Sequence, residues 1–312
     1  MAAYVVTGGA GFIGSNIVAR LVSDGEDVRV VDDFSTGRPE NLAEFADRIE
    51  LLEGSICDEG LLARAFDGAD YVLHQAALAS VQRSVENPLA SNEANVEGTV
   101  KVLTAARDAG VKRVVYASSS SVYGDTPELP KREDMKTDPL SPYAVSKLAG
   151  EHYCCVFDDL FEIETVSLRY FNVFGPRQDP ESQYAAVIPI FVQRLLAGET
   201  PQVFGDGEQS RDFTYVENAV EANLLAATAE GAGGAVCNVG CGRRYTLNEL
   251  LDSLRGLIAS NVGAEYLEER PGDVRHSLAD IEEARERLGY EPLVDFEEGL
   301  RRTVEWYRAR SR

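Results

Sequence analysis

The sequence predicts an α/β fold built on a doubly wound parallel sheet, with a smaller C-terminal lobe. Three observations carry that prediction. From Ala3 to Leu168, β-like runs alternate with helical patterns at the spacing of βαβ units. The first run ends in a glycine-rich turn that opens a helix, Thr7-Gly8-Gly9-Ala10-Gly11-Phe12-Ile13-Gly14-Ser15. The second run ends on an acidic residue, Asp32.

A strand that turns on glycines into a helix aims backbone N–H groups and the positive end of a helix dipole at its guest. A phosphate or pyrophosphate is the expected guest. Gly8, Gly11 and Gly14 have the spacing that permits a tight turn, close approach to the ligand and close helix–strand packing. Asp32 lies 18 residues past Gly14, where a carboxylate can accept hydrogen bonds from an adenosine ribose. With Asp33 beside it, the site repels a 2′-phosphate. The expected class is therefore a Rossmann-type dinucleotide fold, with NAD and not NADP as cofactor.

The remaining elements follow in order. Asp33 to Glu40 is a polar loop punctuated by Gly and Pro, and Ile49 to Glu53 reads as a third strand. Asp58 suits the N-cap of a helix over Glu59–Phe66. Asp70 to His74 is a fourth strand that ends in small residues, Gln75-Ala76-Ala77, which let backbone approach the cofactor. His74 has no partner visible in the sequence and reads as a satisfied histidine at the strand end. Pro88 to Ala109 is one long helical pattern, and Arg113 to Ala117 is a fifth strand. That strand discharges into Ser118-Ser119-Ser120-Ser121-Val122-Tyr123-Gly124, beyond the strand ends where such sheets bind ligands. A hydroxyl there is expected to face the cofactor.

Ser141-Pro142 reads as an N-cap followed by the first helical residue. Tyr143 and Lys147 are four apart and share a face near the helix start. An ammonium beside a phenol stabilises the phenolate and lowers its pKa from about 10 toward working pH. Tyr143 is thereby a candidate general acid/base. Glu164 to Leu168 is a sixth strand, and beyond it the alternation weakens through Gly207. Phe213 to Ala229 reads as helix and Ala235 to Val239 as strand, both returning to the main sheet; the tail is charged and helical.

Composition narrows the partners. A chain of 312 residues exceeds what one core usually fills, so two lobes are expected. Net charge is −22, and only Lys101, Lys112, Lys131, Lys136 and Lys147 are lysines. Such a charge disfavours nucleic acid and anionic membranes. It also fits a halophilic source, where salt near 1 M screens self-repulsion beyond about 3 Å. Met1 runs almost at once into the first strand, and no apolar run approaches the roughly 20 residues of a membrane helix. A soluble cytoplasmic protein is expected. The five cysteines have neither zinc-site spacing nor an even count, so reduced structural thiols and no metal are expected.

Taken together the chain resembles the extended short-chain dehydrogenase/reductase superfamily, and within it the NAD-dependent nucleotide-sugar 4-epimerases. The resemblance rests on Thr7 to Gly14, Asp32 to Gly37, His74 to Ala77, Ser118 to Gly124, Tyr143-x-x-x-Lys147 and Arg169-Tyr-Phe-Asn172. Later blocks, Tyr184 to Pro189, Gly205 to Phe213 and Arg270 to Asp280, look most like epimerases of UDP-N-acetylglucosamine and its galactose epimer. The resemblance implies residues 1–175 as the NAD-binding domain, with 212–240 returning to it, and 176–312 as the UDP-sugar lobe. It implies a homodimer in which the helices Pro88–Ala109 and Ser141–Leu160 form a four-helix bundle across a two-fold axis.

Roles carried over by position are these. Ser119 and Tyr143 meet the sugar 4-hydroxyl, and Lys147 holds the nicotinamide ribose. Gly11, Phe12, Ile13, Asp32 through Ser35, Thr36 and Gly37, Ser55, Ile56, Gln75, Ala76, Ala77, Asn95 and Tyr170 line NAD. Family members often carry Asp where Ser55 stands. Asn172, Ala186, Val187, Val203, Phe204, Arg211, Arg270 and Asp273 hold the UDP-sugar, the arginines matching a diphosphate's need for forked cationic donors. Ser277 walls the pocket beside the sugar C2 substituent, where a small residue admits an N-acetyl group. Ser120-Ser121 stand where related dehydratases and decarboxylases place acids, which disfavours those reactions. A UDP-glucuronate 4-epimerase, an epimerase restricted to glucose and galactose, and a non-catalytic NAD-binding sensor are the alternatives.

Overall fold

The computed structural model describes residues 1–180, 186–269 and 274–310. In chain order the strands are β1 (Ala3–Thr7), β2 (Asp27–Asp32), β3 (Glu50–Glu53), β4 (Tyr71–His74), β5 (Arg113–Ser119), β6 (Glu164–Tyr170), β7 (Val173–Phe174), β8 (Gln202–Phe204), β9 (Ser210–Arg211), β10 (Thr214–Tyr215), β11 (Val236–Val239), β12 (Tyr245–Thr246) and β13 (Glu265–Leu267). The helices are α1 (Phe12–Asp24), α2 (Glu59–Phe66), α3 (Val81–Glu86), α4 (Pro88–Asn92), α5 (Gly98–Asp108), α6 (Pro142–Leu160), α7 (Val187–Ala197), α8 (Val216–Thr228), α9 (Leu247–Ile258), α10 (Glu282–Leu288) and α11 (Phe296–Arg310).

Seven strands form one parallel sheet in the order β11-β6-β5-β4-β1-β2-β3. The order reverses beside β1, so a crevice opens beyond the carboxyl ends of β1 and β4, as doubly wound sheets require. Both faces of β5 are buried along its whole length, which is why its apolar residues run on without alternation. One face packs Ile17, Val18 and Leu21 of α1 and Ala219 and Ala226 of α8. The other packs Leu62 and Phe66 of α2, Leu103 of α5 and Phe157 of α6. A separate core, with Phe174, Phe191, Phe213, Leu250, Phe296 and Leu300, supports the C-terminal elements.

Local signals act as expected at two helix starts. Asp58 accepts from Leu61 N at 3.0 Å, and Ser141 accepts from Ala144 N at 3.1 Å. Two expectations are corrected. The long helix from Pro88 is broken by a π turn at Glu93–Glu97, whose extra residue turns Asn95 inward. The helix expected from Phe213 begins at Val216, because Thr214–Tyr215 pair in parallel with β7. Among the described residues no helix is long and apolar enough to cross a membrane.

Candidate functional site

The glycine turn is built by close packing. Gly8 has φ +68°, and a Cβ there would lie 2.6 Å from Ala76 N. A Cβ on Gly14 would lie 2.1 Å from Gly8 O, so the helix start sits directly against the turn. No side chain caps α1, which leaves its positive end to a ligand. Gly8, Gly11, Phe12, Ile13 and Gly14 line a cleft of about 250 Å³.

Asp32 lies on the same cleft, beside Asp33, Ser35 and Thr36. Its Oδ2 accepts from Ala10 N and its Oδ1 from Phe34 N, each at 2.8 Å. Acceptor capacity is left for a ribose diol. Burial pushes the carboxyl above its ordinary range, against the two backbone bonds. A Cβ on Gly37 would fall 2.7 Å from Asp32 Oδ1; Gly37 backs the acid without lining the cleft. These features fit an adenosine ribose next to a pyrophosphate.

Ser55, Ile56, Gln75, Ala76, Ala77 and Tyr170 line the cleft as well. Asn95 does not. It is 1% exposed, accepts from Leu78 N at 2.8 Å and donates to Ser146 Oγ at 3.0 Å. The π turn thus makes it a brace between the loop after β4 and α6, a correction to its expected cofactor contact.

Tyr143 and Lys147 reach the inner end of the cleft from the first turns of α6. Tyr143 N donates to Ser84 Oγ at 3.0 Å, anchoring the helix start. Its phenol lies near the hydroxyl of Ser119, the last residue of β5, whose Oγ accepts from Ser121 Oγ at 2.9 Å. Lys147 Nζ donates to Ala117 O at 2.7 Å and stands 6.0 Å from the centre of the Tyr143 ring. Burial pushes the Lys147 ammonium down to about 8. Burial also pushes the Tyr143 phenol above its ordinary value, and the neighbouring Ser119 hydroxyl draws it partly back. This corrects the expected lowering by Lys147. The ammonium is spent on the Ala117 carbonyl, and desolvation of the phenol outweighs any attraction at that range.

His74 is fully enclosed between Thr7 Oγ1 at 2.7 Å and Thr99 Oγ1 at 3.0 Å, a structural histidine. Sequence reasoning missed Asn223. Its Nδ2 donates to Tyr170 OH at 2.7 Å and its Oδ1 accepts from Gln75 Nε2 at 2.9 Å. Tyr170 OH and Gln75 Oε1 complete the ring at 3.2 Å. A buried Asn in an otherwise apolar helix stretch was its only signal.

Beyond the cleft, Asn172 Nδ2 donates to Asp212 O and Ser277 Oγ, each at 3.1 Å. Ser277 N donates to Ser210 O at 3.0 Å, which brings Ser277, Asn172 and the β9 residue Arg211 to one place. Asp212 is buried under Cys241 N, Gly242 N and Ala279 N, and burial raises it to about 6. Ala186 is exposed at the N-cap of α7 and Val187 opens that helix half-buried. Phe204 is half-buried, whereas Val203 is fully buried. Val203 belongs to the C-terminal core, so its expected substrate contact is corrected. Arg270 and Asp273 lie outside the described residues, as does Tyr184 to Ala185 of the block before α7. Among the described residues no group of His, Cys, Asp and Glu could hold a metal, and the five cysteines are free thiols.

Comparison with known proteins agrees with this geometry. The model of the NAD dependent epimerase/dehydratase family matches residues 4–240. A UDP-glucose 4-epimerase of Mycolicibacterium smegmatis is 43% identical over 98% of this chain and 99% of its own. The UDP-N-acetylglucosamine 4-epimerase of Methanobrevibacter ruminantium, solved with UDP-N-acetylmuramic acid, superposes with a TM-score of 0.95 at 42% identity, covering 99% of each chain. The UDP-glucose 4-epimerase of Thermotoga maritima, solved with UDP-glucose, gives 0.95 at 40% identity over 99% of this chain and 100% of that one. The chain belongs to the NAD dependent epimerase/dehydratase family.

Proposed function

We propose that the chain catalyses reversible 4-epimerisation of a UDP-hexose, on UDP-GlcNAc/UDP-GalNAc and on UDP-Glc/UDP-Gal. The observation that carries this reading is that Tyr143 and Lys147 line the same cleft as the glycine turn and Asp32, beside the carboxyl end of β5 where Ser119 stands. NAD, when bound, accepts a hydride from the sugar C4 and returns it. Asp32 holds the adenosine ribose, the turn Gly8–Gly14 faces the pyrophosphate, and Tyr143, once deprotonated to the phenolate, takes the C4 hydroxyl proton and returns it, with Ser119 beside it. Lys147, near the phenol, holds the nicotinamide ribose.

In the same reading Asn172, Arg211 and Arg270 hold the UDP moiety while the sugar turns. Tight contacts to UDP and loose ones to the hexose leave binding energy for the transition state. Residues 1–175, joined by 212–240, bind NAD, and the remainder of 176–312 forms the substrate lobe. Leu89 on α4 and Val145, Tyr153 and Val156 on α6 are exposed apolar residues, which supports a homodimer through these helices. A cytoplasmic location completes the reading.

The test feeds UDP-GlcNAc, UDP-Glc and UDP-glucuronate separately and resolves products by chromatography. Conversion of the first two to their C4 epimers supports the assignment. Conversion of UDP-glucuronate alone, or of none, overturns it.

A further inference from the structure

A buried polar network ties α6 to the ends of β5 and β6 behind Lys147. Residues four apart share a helix face, so Glu151 continues the face that carries Tyr143 and Lys147. Glu151 is 2% exposed. Its Oε1 accepts from Ser118 Oγ and from Arg169 Nε at 2.9 Å, and its Oε2 from Arg169 Nη2 at 2.9 Å. Ser118 and Arg169 are themselves paired across β5 and β6. The carboxylate therefore closes a triangle over the ladder one residue before Ser119. Arg169 Nη1 donates to Tyr123 OH at 2.8 Å, and Tyr123 OH donates to Asn238 Oδ1 at 2.7 Å.

A buried ion pair adds little net stability, because desolvation offsets the attraction. An apolar pair of similar volume would fill the space, so the charge asks for another use. Lys147 lies one turn before Glu151. The titratable groups that face it are His74 of β4, Tyr116 of β5, and Tyr143, Glu151 and Cys154 of α6. Burial holds His74 uncharged at about 3 and pushes the Tyr116, Tyr143 and Cys154 groups up, so these stay neutral. Glu151 is the carboxylate of the set.

The geometry points to Glu151 as a positioning residue of the catalytic centre: oriented by Arg169, its carboxylate fixes the Ser118 end of β5 and keeps Lys147 an ammonium. The inference rests on the role given to Lys147 in the proposed epimerisation.

The test uses holoenzyme carrying lysine labelled with ¹³C at Cε. Five lysines give five signals, and Lys147→Met identifies one by its loss. Glu151→Gln removes the charge and keeps an oxygen for Ser118. Glu151→Gln/Arg169→Met also removes the cation, should a lone buried guanidinium unfold the single variant. In Glu151→Gln, Lys147 is expected to titrate about one pH unit lower; in the double variant, which also removes the opposing cation, it moves the same way by less. Turnover of UDP-GlcNAc by Glu151→Gln at pH 8 falls about fivefold, its alkaline limb moves the same way, and KM stays close to wild type. Folded variants with an unchanged Lys147 midpoint and pH profile overturn the inference. So does loss of folded protein with an unchanged profile in what remains. The lysine titration needs no turnover, so an inactive wild type refutes the epimerase reading and leaves Glu151 to be judged by that titration.

Discussion

Asn172 donates through its side-chain amide to Ser277 Oγ at 3.1 Å, tying the link between β6 and β7 to the segment that follows Arg275. Asn172 holds φ +32°, and its amide is shared with the Asp212 carbonyl at 3.1 Å. The hydroxyl at position 277 accepts from that amide, and in the proposed reading this small residue walls the pocket beside the sugar C2 substituent. Ser277→Tyr replaces it with a bulky ring. Overpacking costs about 1–3 kcal/mol, or about one to two decades in rate. Epimerisation of UDP-GlcNAc is expected to fall by that amount while UDP-Glc is spared, measured as kcat/KM on each. Equal loss on both substrates, or none on either, contradicts a gate at Ser277.

Tyr143→Phe removes the phenol hydroxyl near Ser119 and keeps the ring that lines the cleft. Proton transfer by a positioned side chain contributes about 10²–10⁴-fold, and a loss in kcat of that order is expected with little change in UDP-sugar affinity. Calorimetry on UDP and a turnover assay read the two separately. Turnover near wild type removes Tyr143 from the mechanism.

Much of this site is legible in the sequence because its signals are local. The glycine turn, Asp32, the caps Asp58 and Ser141, and the four-residue spacing of Tyr143 and Lys147 depend on backbone geometry within a few residues. What depends on distant chain is not legible. The Asn223–Tyr170–Gln75 ring joins α8 to β6 and the loop after β4. The inward turn of Asn95 needs a π turn that no periodicity announces. Lys147 turns to the Ala117 carbonyl, which follows from where β5 ends against α6. Val203 carries the same residue type whether it lines a pocket or a core, and only the packing of β8 under α7 and α9 decides.

His74 makes an acid-stability prediction with a fixed sign. Burial lowers it from 6.5 to about 3, so between those values the unfolded chain binds a proton that the folded chain does not. Stability then rises with pH and is lost as pH falls below 6.5, by up to about 1.4 kcal/mol per pH unit for one proton. Asp212, raised by burial to about 6, gives the opposite slope below pH 6 in wild type and variant alike, so the His74 slope is read as the difference in urea-unfolding stability between wild type and His74→Gln, at constant KCl, from pH 6.5 to 5. That difference should shrink by this slope as pH falls, with His74→Gln less stable at pH 7. An unchanged slope in that variant assigns the acid sensitivity elsewhere.

The charge of −22 per chain repels itself within the fold and, in the proposed homodimer, between subunits. Molar KCl screens this, so a higher melting temperature and a more stable homodimer are expected as KCl rises. Light scattering and thermal melts read both. A monomer at high salt, or a melting point indifferent to salt, contradicts the proposal.

The central claim is an oxidation at C4 that is undone before anything leaves. The direct measurement follows NADH absorbance and product together, with UDP-GlcNAc in large excess over enzyme-bound NAD and no added cofactor. The account predicts many turnovers to UDP-GalNAc per NAD, the same mixture reached from either epimer, and no accumulating NADH. Product formation that stops at one equivalent per NAD, or that matches NADH mole for mole, would make the enzyme a dehydrogenase and contradict the account.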